Sequence, residues 1–211
     1  MTWNSISEVS VRLLLDIFIR LLNLLTLLSF IICEVGRGSS GTTYLGKYCN
    51  QDVAIKVAAT SEMGLEGWTA EFMSLKKLHH TNVIRFMGSI YNPSSLMYCL
   101  VLEYCDGGDL SAALDKETPP QFFINVSAGV ANGMFYLHKM KYMHRDIKPS
   151  NILLSGDPKS GKLIAKLTDF GLAVKMQNTS VKNDLTAETG TYRYMAPGAY
   201  FYHLLGQIDV S

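Results

Sequence analysis

The sequence has almost no excess of charge of either sign. Its 211 residues include 19 Lys and Arg and 18 Asp and Glu, which gives a formal net charge of +1. A nucleic-acid-binding domain usually carries a basic surplus, so the composition gives no support for a nucleic-acid partner. With 17 glycines and 6 prolines, the chain also lacks the composition of a collagen or of a proline-rich linker.

Cysteine is scarce, and its spacing argues against a zinc site or a disulfide framework. The 4 cysteines form no CxxC pair, and no histidine lies at zinc-ligand spacing from them. We therefore expect reduced, mostly buried thiols in a cytoplasmic protein. Hydrophobic residues make up 48% of the chain, which excludes a disordered protein and predicts a substantial core.

Residues 11–33 are rich in leucine, but polar residues interrupt the run at Arg12, Asp16, Arg20 and Asn23. A membrane-spanning helix needs about 20 mostly apolar residues. A packing or amphipathic helix is the interpretation we favour, and a membrane anchor or an unstructured leader are the alternatives. We therefore do not favour contact with a membrane through this segment, although a membrane anchor is one of the alternatives.

Strand-like patterns dominate the next part of the sequence. They run from residue 31 to 57, with a hairpin turn predicted at 50–52, and return at 83–91 and 97–105. Between them, Trp68, Phe72, Leu75 and Leu78 recur at helical spacing and predict an amphipathic helix over 66–80.

Helical patterns dominate after the break at Asp106-Gly107-Gly108. Residues 109–141 are predicted to be mainly helical, with a stop at Pro119-Pro120, and short strands and loops follow. Strands first and helices later indicate an α+β protein with two lobes.

A glycine-rich segment, GRGSSG at residues 36–41, joins two of the predicted strands. Glycines let backbone N–H groups approach a phosphate closely, although an ordinary hairpin turn explains the segment equally well. The GxGxxG pattern also occurs in dinucleotide-binding folds, where the glycines open a helix, whereas the strand-like TTYLG follows here.

Lys56 lies in the apolar strand VAIK, where an ammonium group is costly without a partner. Glu71 on the following helix is a candidate partner; an edge-strand lysine with its head in solvent is the alternative. Further along, HRDIKPSN at residues 144–151 and DFG at 169–171 place carboxylates and an amide in short loops. Carboxylate and amide oxygens are ligands that suit Mg²⁺.

In this order, GRGSSG, VAIK, HRDIKPSN and DFG resemble the signature set of the eukaryotic protein kinases. The resemblance covers roughly residues 31–197 and implies a bilobal α+β fold, with a small β-rich N-lobe that carries one helix and a helical C-lobe. It implies four segments, which are a Leu-rich extension at 1–29, the N-lobe at 30–105, a partial C-lobe with the catalytic and activation loops at 106–197, and an atypical tail at 198–211.

The resemblance also implies a role for each matching side chain. Asp146 would be the catalytic base and Lys148 the cation beside the transferred phosphoryl group, while Lys56, held by Glu71, would contact the nucleotide phosphates. Asn151 and Asp169 would hold Mg²⁺. Leu102 would be the gatekeeper, and the segment from Glu103 to Cys105 resembles the hinge, whose backbone would hydrogen-bond adenine. The residues expected to contact ATP are Gly36, Arg37, Gly38, Ser39, Ser40, Gly41, Thr43, Ala54, Lys56, Glu103, Cys105, Asp109 and Leu153. A hydrophobic stack is expected from Leu75, His144 and Phe170.

Two features resemble the tyrosine-kinase-like group, whose Raf-like and mixed-lineage members phosphorylate Ser and Thr. They are Lys148 and the segment 186–197, TAETGTYRYMAP, which contains Thr191. Arg145 before the catalytic aspartate implies control by phosphorylation of the activation segment. The candidate sites are Ser180, Thr186 and Thr189.

The sequence departs from the family after Pro197. Gly198 replaces the glutamate of the family's APE motif, and residues 198–211 do not resemble the family's continuation. We therefore expect an incomplete C-lobe. Smaller departures are Thr43 in place of valine and Ser40 in place of an aromatic residue.

Three hypotheses about function follow. The first is an ATP- and Mg²⁺-dependent kinase that phosphorylates Ser and Thr of protein substrates, with an activity that the incomplete C-lobe puts in question. The second is a truncated, catalytically impaired kinase that acts as a nucleotide- or partner-binding module. The third is a kinase tethered to a membrane through residues 11–33.

Overall fold

The computed structural model describes residues 31–38, 41–59, 62–92, 97–114, 119–156, 163–176 and 191–197. Several predictions lie outside these residues, and for them the structure gives no test. They concern the Leu-rich extension, Ser39 and Ser40, the candidate phosphorylation sites at 180, 186 and 189, and the tail from Gly198 onward.

A five-stranded sheet forms the first lobe, in the spatial order β1-β2-β3-β5-β4. Its strands are β1 (Ile31–Gly38), β2 (Gly41–Tyr48), β3 (Gln51–Ala58), β4 (Phe86–Asn92) and β5 (Met97–Glu103). All four pairings are antiparallel. Val53, Ile55 and Cys99 pack together in one small cluster of buried side chains in this lobe.

The hairpin turn between β2 and β3 lies one residue earlier than predicted. Tyr48 pairs with Gln51, so the turn consists of Cys49 and Asn50. Both residues have positive φ, 48° and 64°, which is the geometry of a tight hairpin whose twist matches that of its strands. Asn50 adopts this conformation readily because its short polar side chain tolerates the left-handed region.

The helix described in the first lobe, α1 (Glu62–Leu75), begins and ends earlier than predicted. At the end of the helix the hydrogen bonding changes from the α-helical to the 3₁₀ pattern. The N–H groups of Lys77 and Leu78 donate to carbonyl groups three residues back, at 3.1 Å. The predicted apolar positions do face inward, since Trp68, Leu75 and Leu78 are buried.

The predicted strand at 83–91 begins only at Phe86, because the residues before it join the second lobe. Ile84 N–H donates to the carbonyl oxygen of Leu167 at 2.8 Å, and Leu167 N–H donates to Asn82 at 2.9 Å. The segment directly before β4 therefore connects the five-stranded sheet to the second lobe through hydrogen bonds to Leu167.

The second lobe contains two helices, α2 (Leu110–Leu114) and α3 (Pro120–Lys139), in its described part. Four short strands follow, which are β6 (Tyr142–Met143), β7 (Ile152–Ser155), β8 (Ile164–Leu167) and β9 (Val174–Lys175). β6 pairs with β9 and β7 pairs with β8. Single 3₁₀ turns lie at Pro149–Asn151, Phe170–Leu172 and Tyr192–Tyr194.

One continuous core joins α1, the sheet and the second lobe. Gly133 lets α3 approach closely, because a Cβ atom there would lie 2.7 Å from the Asn82 carbonyl oxygen and 2.9 Å from Leu167. The α+β architecture predicted from the sequence is confirmed: among the described residues, a β-rich lobe with one helix is followed by a lobe with two helices and short strands. Among the described helices, none has both the length and the apolar character needed to cross a bilayer.

Candidate active site

A cavity of about 510 Å³ opens between the five-stranded sheet and the second lobe. This volume is in the range of sites that bind small molecules. Most of the site residues predicted from the sequence line this cavity. They are Gly36, Arg37, Gly38, Gly41, Thr43, Ala54, Lys56, Glu103, Cys105, Asp109, Lys148, Asn151, Leu153 and Asp169.

Glu71 and Asp146 do not line the cavity; each instead contacts a lysine that does. Tyr104 also lines the cavity, as expected for the segment from Glu103 to Cys105. Several other lining residues were not identified as site residues from the sequence, namely Val35, Ile84, Gly108, Ser150 and Thr168. Sequence signals existed for three of them. Ser150 lies within HRDIKPSN. Val35 directly precedes the glycine segment, and Thr168 directly precedes DFG.

The three described glycines of the glycine-rich segment have different surroundings. Gly41 has φ of 142°, and a Cβ atom there would lie 2.0 Å from the Val57 carbonyl oxygen, so the fold itself requires glycine. Around Gly36 and Gly38, nothing lies within 4 Å of the position a Cβ would take. Both glycines line the cavity, and without side chains they let an anionic ligand approach the backbone closely.

At one end of the cavity, Lys56 lies between two carboxylates. Its Nζ is 2.6 Å from Glu71 Oε2 and 3.0 Å from Asp169 Oδ1. Burial alone would lower the pKa of Lys56, but the two carboxylates outweigh it and raise the pKa, so the side chain keeps its charge. Burial raises the pKa of Glu71 while the Lys56 ammonium opposes that shift. The partner proposed for Lys56 from the sequence is therefore in contact with it.

Asp146 is buried among polar partners. Its Oδ2 lies 2.7 Å from Lys148 Nζ and accepts a hydrogen bond from Asn151 Nδ2 at 2.9 Å. Its Oδ1 accepts from the backbone N–H of Thr191 at 3.0 Å and from the Thr191 hydroxyl at 2.7 Å. Burial alone would raise the pKa of Asp146, but Lys148, Thr191 and Asn151 lower it below its ordinary value. The group is therefore an ionised carboxylate at neutral pH.

Asn151 is oriented by its contacts with Asp146. Its Nδ2 donates to both the carbonyl oxygen and the carboxylate of Asp146, at 2.8 and 2.9 Å. Since the amide oxygen lies on the opposite side of the group, it points away from Asp146. Asn151 lines the cavity together with the Asp169 carboxylate. One amide oxygen and one carboxylate on the same wall are a donor set that fits Mg²⁺.

Two residues in left-handed conformations shape the loops around Asp146 and Asp169. Asp169 has φ of 61° and Arg145 has φ of 67°. The Arg145 side chain donates from Nε to the Leu172 carbonyl oxygen at 2.6 Å, and Thr168 N–H donates to the Asn151 carbonyl oxygen at 3.0 Å. These bonds connect the HRD loop to the DFG loop, and they are the kind of surrounding structure that maintains strained backbone at a functional site.

His144 is a buried neutral imidazole that supports this arrangement. Its Nε2 lies 2.8 Å from the Thr168 carbonyl oxygen, and its Nδ1 accepts the Asp146 N–H at 3.4 Å. This pattern requires the proton on Nε2. Burial lowers the pKa of His144, in agreement with a neutral ring. The ring also packs against Phe170 at a centroid distance of 4.8 Å, and both Phe170 and Leu75 are completely buried.

Two expected nucleotide contacts have additional roles in the fold. Asp109 Oδ1 accepts the Ala112 N–H at 2.9 Å and so caps the start of α2. The Arg37 side chain is exposed and pairs with Glu34 at 3.0 Å. At the other wall, Leu102 and Ala54 are buried apolar residues that line the cavity.

The family of the chain follows from comparison with known sequences. The family model described as protein kinase domain matches residues 31–202. The chain therefore belongs to the protein kinase family, whose members generally use ATP and Mg²⁺.

Three similar curated proteins are named as kinases. Serine/threonine-protein kinase STY46 of Arabidopsis thaliana is 36% identical over 171 residues, covering 78% of this chain and 28% of that protein. Serine/threonine-protein kinase VIK of the same plant is 35% identical, covering 79% and 39%. Mitogen-activated protein kinase kinase kinase 13-A of Xenopus laevis is 33% identical, covering 77% and 16%.

These relatives confirm the sequence-based assignment to the tyrosine-kinase-like group of Ser/Thr kinases. This chain spans well under two thirds of the length of each.

Proposed function

We propose that the protein is a Ser/Thr protein kinase that transfers the γ-phosphate of ATP to hydroxyl groups of protein substrates in intracellular signalling. The observation that carries the proposal is the position of Asp146. Its carboxylate contacts Lys148 and Asn151, both of which line the cavity that also contains Lys56 and Asp169. The proposed base is therefore connected, through Lys148 and Asn151, to the cavity that holds the proposed phosphate-binding groups.

The other end of the cavity suits adenine. Ala54, Leu102 and Leu153 supply apolar surface on its opposite walls, and the chain from Glu103 to Cys105 runs along its edge. Apolar walls with a few backbone polar groups are the usual composition of a nucleotide-base site. Asp109, which also lines the cavity, is the residue we propose for a hydrogen bond with a ribose hydroxyl.

At the phosphate end, the charge of Lys56 is directed by its two carboxylate partners. An ammonium held in place neutralises phosphate charge without having to reorganise during the reaction. Asn151 and Asp169 would hold Mg²⁺, which supplies further neutralisation of the phosphate charge. Gly36 and Gly38 leave room above this end for the phosphates.

The transfer step uses Asp146 as the acceptor of a proton. The substrate hydroxyl oxygen attacks the γ-phosphorus, the bond to the β,γ-bridging oxygen breaks, and ADP leaves with that oxygen. The hydroxyl proton passes to Asp146, whose lowered pKa keeps it ionised beforehand. Lys148 Nζ, at 2.7 Å from Asp146, lies where it would stabilise charge on the transferred group.

A comparison of variants of the full 211-residue chain tests this proposal. We expect the wild-type chain to transfer γ-phosphate from Mg-ATP to a generic Ser/Thr substrate. Asp146→Asn should lose transfer by about 10³-fold or more while it still binds nucleotide. Lys56→Met should weaken productive phosphate binding. Lys47→Met is the matched control, because Lys47 pairs with Asp52 on the exposed side of the same sheet.

Equal transfer by wild type and Asp146→Asn would contradict the assigned role of Asp146.

We also infer a cytoplasmic location, which is supported by the four free cysteines.

A further inference from the structure

A buried ion pair that the proposed transfer step does not use lies between the two lobes. Lys166 on β8 is 8% exposed, and its Nζ lies 3.0 Å from Glu103 Oε1 at the end of β5. The same Nζ donates to the carbonyl oxygen of Thr81 at 2.8 Å, although Thr81 is 85 positions away along the chain. An ammonium this buried is stable only with such partners. It therefore joins three separate segments at one point.

The Glu103 end of this pair belongs to the wall of the cavity. Glu103 lines the cavity with Tyr104 and Cys105, where adenine is expected. Its Oε1 also accepts the Arg85 N–H at 2.7 Å, and its own N–H donates to the Arg85 carbonyl oxygen at 3.0 Å. The backbone at the edge of the cavity is thus connected to Lys166 through one largely buried carboxylate.

The Lys166 end belongs to the opposite wall. Lys166 pairs across the two-stranded sheet with Leu153, which lines the cavity from the second lobe. The neighbouring Ala165 carbonyl oxygen accepts a hydrogen bond from Asn82 Nδ2 at 2.8 Å. Because Asn82 adjoins Thr81, the segment before β4 is held to β8 at consecutive residues. Lys166 therefore links the part of the cavity wall that contains Glu103 to the part that contains Leu153.

We propose that Lys166 is a positioning residue for nucleotide binding, acting through Glu103 on the adenine end of the cavity. The proposal rests on the nucleotide site proposed above. Removal of Lys166 alone leaves the Glu103 carboxylate largely buried without its cation, and such a group moves toward water or recruits it. A shift of Glu103 would carry the adjacent backbone at 104 and 105 with it.

Adenosine affinity is the measurement that isolates this end of the site, because adenosine carries no phosphate. We expect Lys166→Met to bind adenosine and ATP about tenfold more weakly than the wild-type 211-residue chain, since small misplacements of binding groups have effects of this size or larger. Lys166→Arg should recover most of the affinity. The double variant Lys166→Met/Glu103→Gln should also recover part of it, because no buried carboxylate is then left unpaired.

Lys56→Met and Lys47→Met are the control variants for Lys166→Met. Lys56→Met should weaken ATP binding but leave adenosine affinity within about twofold, because Lys56 acts on the phosphates. Lys47→Met, which breaks an exposed pair in the same sheet, should change neither. The thermal midpoint of each variant without ligand reports the loss of stability separately, and binding is compared at a temperature at which all variants are folded.

The outcomes separate this proposal from the function on which it rests. If the wild-type chain binds neither ATP nor adenosine, the proposed nucleotide site is wrong. If it binds both and folded Lys166→Met binds adenosine with unchanged affinity, Lys166 has only a structural role and the positioning proposal is overturned. Failure of both Lys166→Arg and the double variant to recover affinity would likewise overturn it.

Discussion

Both the hydroxyl and the backbone N–H of Thr191 donate to a single carboxylate oxygen of Asp146, at 2.7 and 3.0 Å. The Thr191 hydroxyl oxygen in turn accepts a hydrogen bond from Lys148 Nζ at 2.8 Å. Thr191 and Asp146 are 45 positions apart along the chain. Thr191 therefore completes a closed set of hydrogen bonds around the proposed base and its neighbouring cation.

Replacement of this hydroxyl by a methyl group should reduce the rate of transfer. Thr191→Val keeps the size of the side chain but removes a hydrogen bond to a charged group, which contributes about 1.5–3 kcal/mol. We expect kcat to fall by about tenfold or more, with nucleotide affinity within about threefold of wild type. Thr191→Ser keeps the hydroxyl and is the control. Equal rates in the Val and Ser variants would show that the hydroxyl has no part in catalysis.

The same substitution should move the acid limb of the pH–rate profile. Asp146 must be ionised to accept a proton, and donation from Thr191 contributes to its lowered pKa. Without that donor the pKa rises, so Thr191→Val should lose activity at a higher pH on acidification than wild type. The check is kcat against pH for both proteins, and an acid limb that stays in place or moves to lower pH would contradict the assignment.

Substitutions of the glycines in the glycine-rich segment should distinguish an effect on stability from an effect on nucleotide binding. Gly41→Ala should lower the thermal midpoint strongly, because the added Cβ would overlap the Val57 carbonyl oxygen. Gly36→Ala and Gly38→Ala meet open space, so their midpoints without ligand should stay close to that of wild type. Both should nevertheless weaken ATP binding. A large loss of stability in the Gly36 or Gly38 variant would refute the distinction.

Protonation of His144 should destabilise the fold on acidification. Burial lowers its pKa from an ordinary value of 6.5, so the unfolded chain takes up this proton at a higher pH than the folded chain does. The stability contributed by the neutral ring is fully present above pH 6.5 and is lost as the pH falls toward the lowered pKa of the folded state.

Urea unfolding between pH 7.5 and pH 5 measures this effect. His144→Phe should show a smaller decrease in the free energy of unfolding over this window than wild type does. His79, which is exposed, provides the matched control, and His79→Gln should follow wild type. If the free energy of unfolding depends on pH in the same way in wild type and in His144→Phe, the loss of stability does not come from His144.

The four cysteines should divide into two reactive and two protected thiols. Cys99 and Cys105 are buried as expected, but the expectation of mostly buried thiols is wrong for Cys33 and Cys49, which are exposed. Burial raises the pKa of Cys99 to about 11 and of Cys105 to about 12. A thiol with a pKa of about 12 is only about 0.01% ionised at pH 8, although Cys105 borders the cavity.

A thiol-reactive reagent at pH 8 should therefore modify two cysteines rapidly and the other two only after denaturation. Mass spectrometry of the peptides identifies which residues react. Rapid modification of Cys105 in the native protein would contradict its buried position.

Much of the cavity was predictable, because its residues lie in short motifs whose order in the chain is distinctive. The motifs predicted that Lys56 and Asp169 belong to one site, although they are 113 positions apart. Ile84 was missed because its place on the cavity wall depends on the hydrogen bond between its N–H and Leu167 of β8. No local sequence pattern around Ile84 predicts this contact with a residue so distant in the chain.

The ion pair between Lys166 and Glu103 shows the same limit. Lys166 lies in the strand IAKL, where a lysine between apolar residues is typical of an edge strand with its charge in solvent. Only the pairing of β8 with β7, and the approach of Thr81, show that it is buried. The hairpin turn at Cys49–Asn50 was misplaced by one residue for a related reason: both Asn50 and Asp52 favour turns, and the register of the strands decides between them.

The most direct test of the account is phosphoamino-acid analysis of a protein substrate incubated with the 211-residue chain and γ-labelled ATP with Mg²⁺. The account predicts label on Ser and Thr, little or none on Tyr, and none from Asp146→Asn. Label on Tyr, or no label from a folded chain that binds ATP, would contradict it.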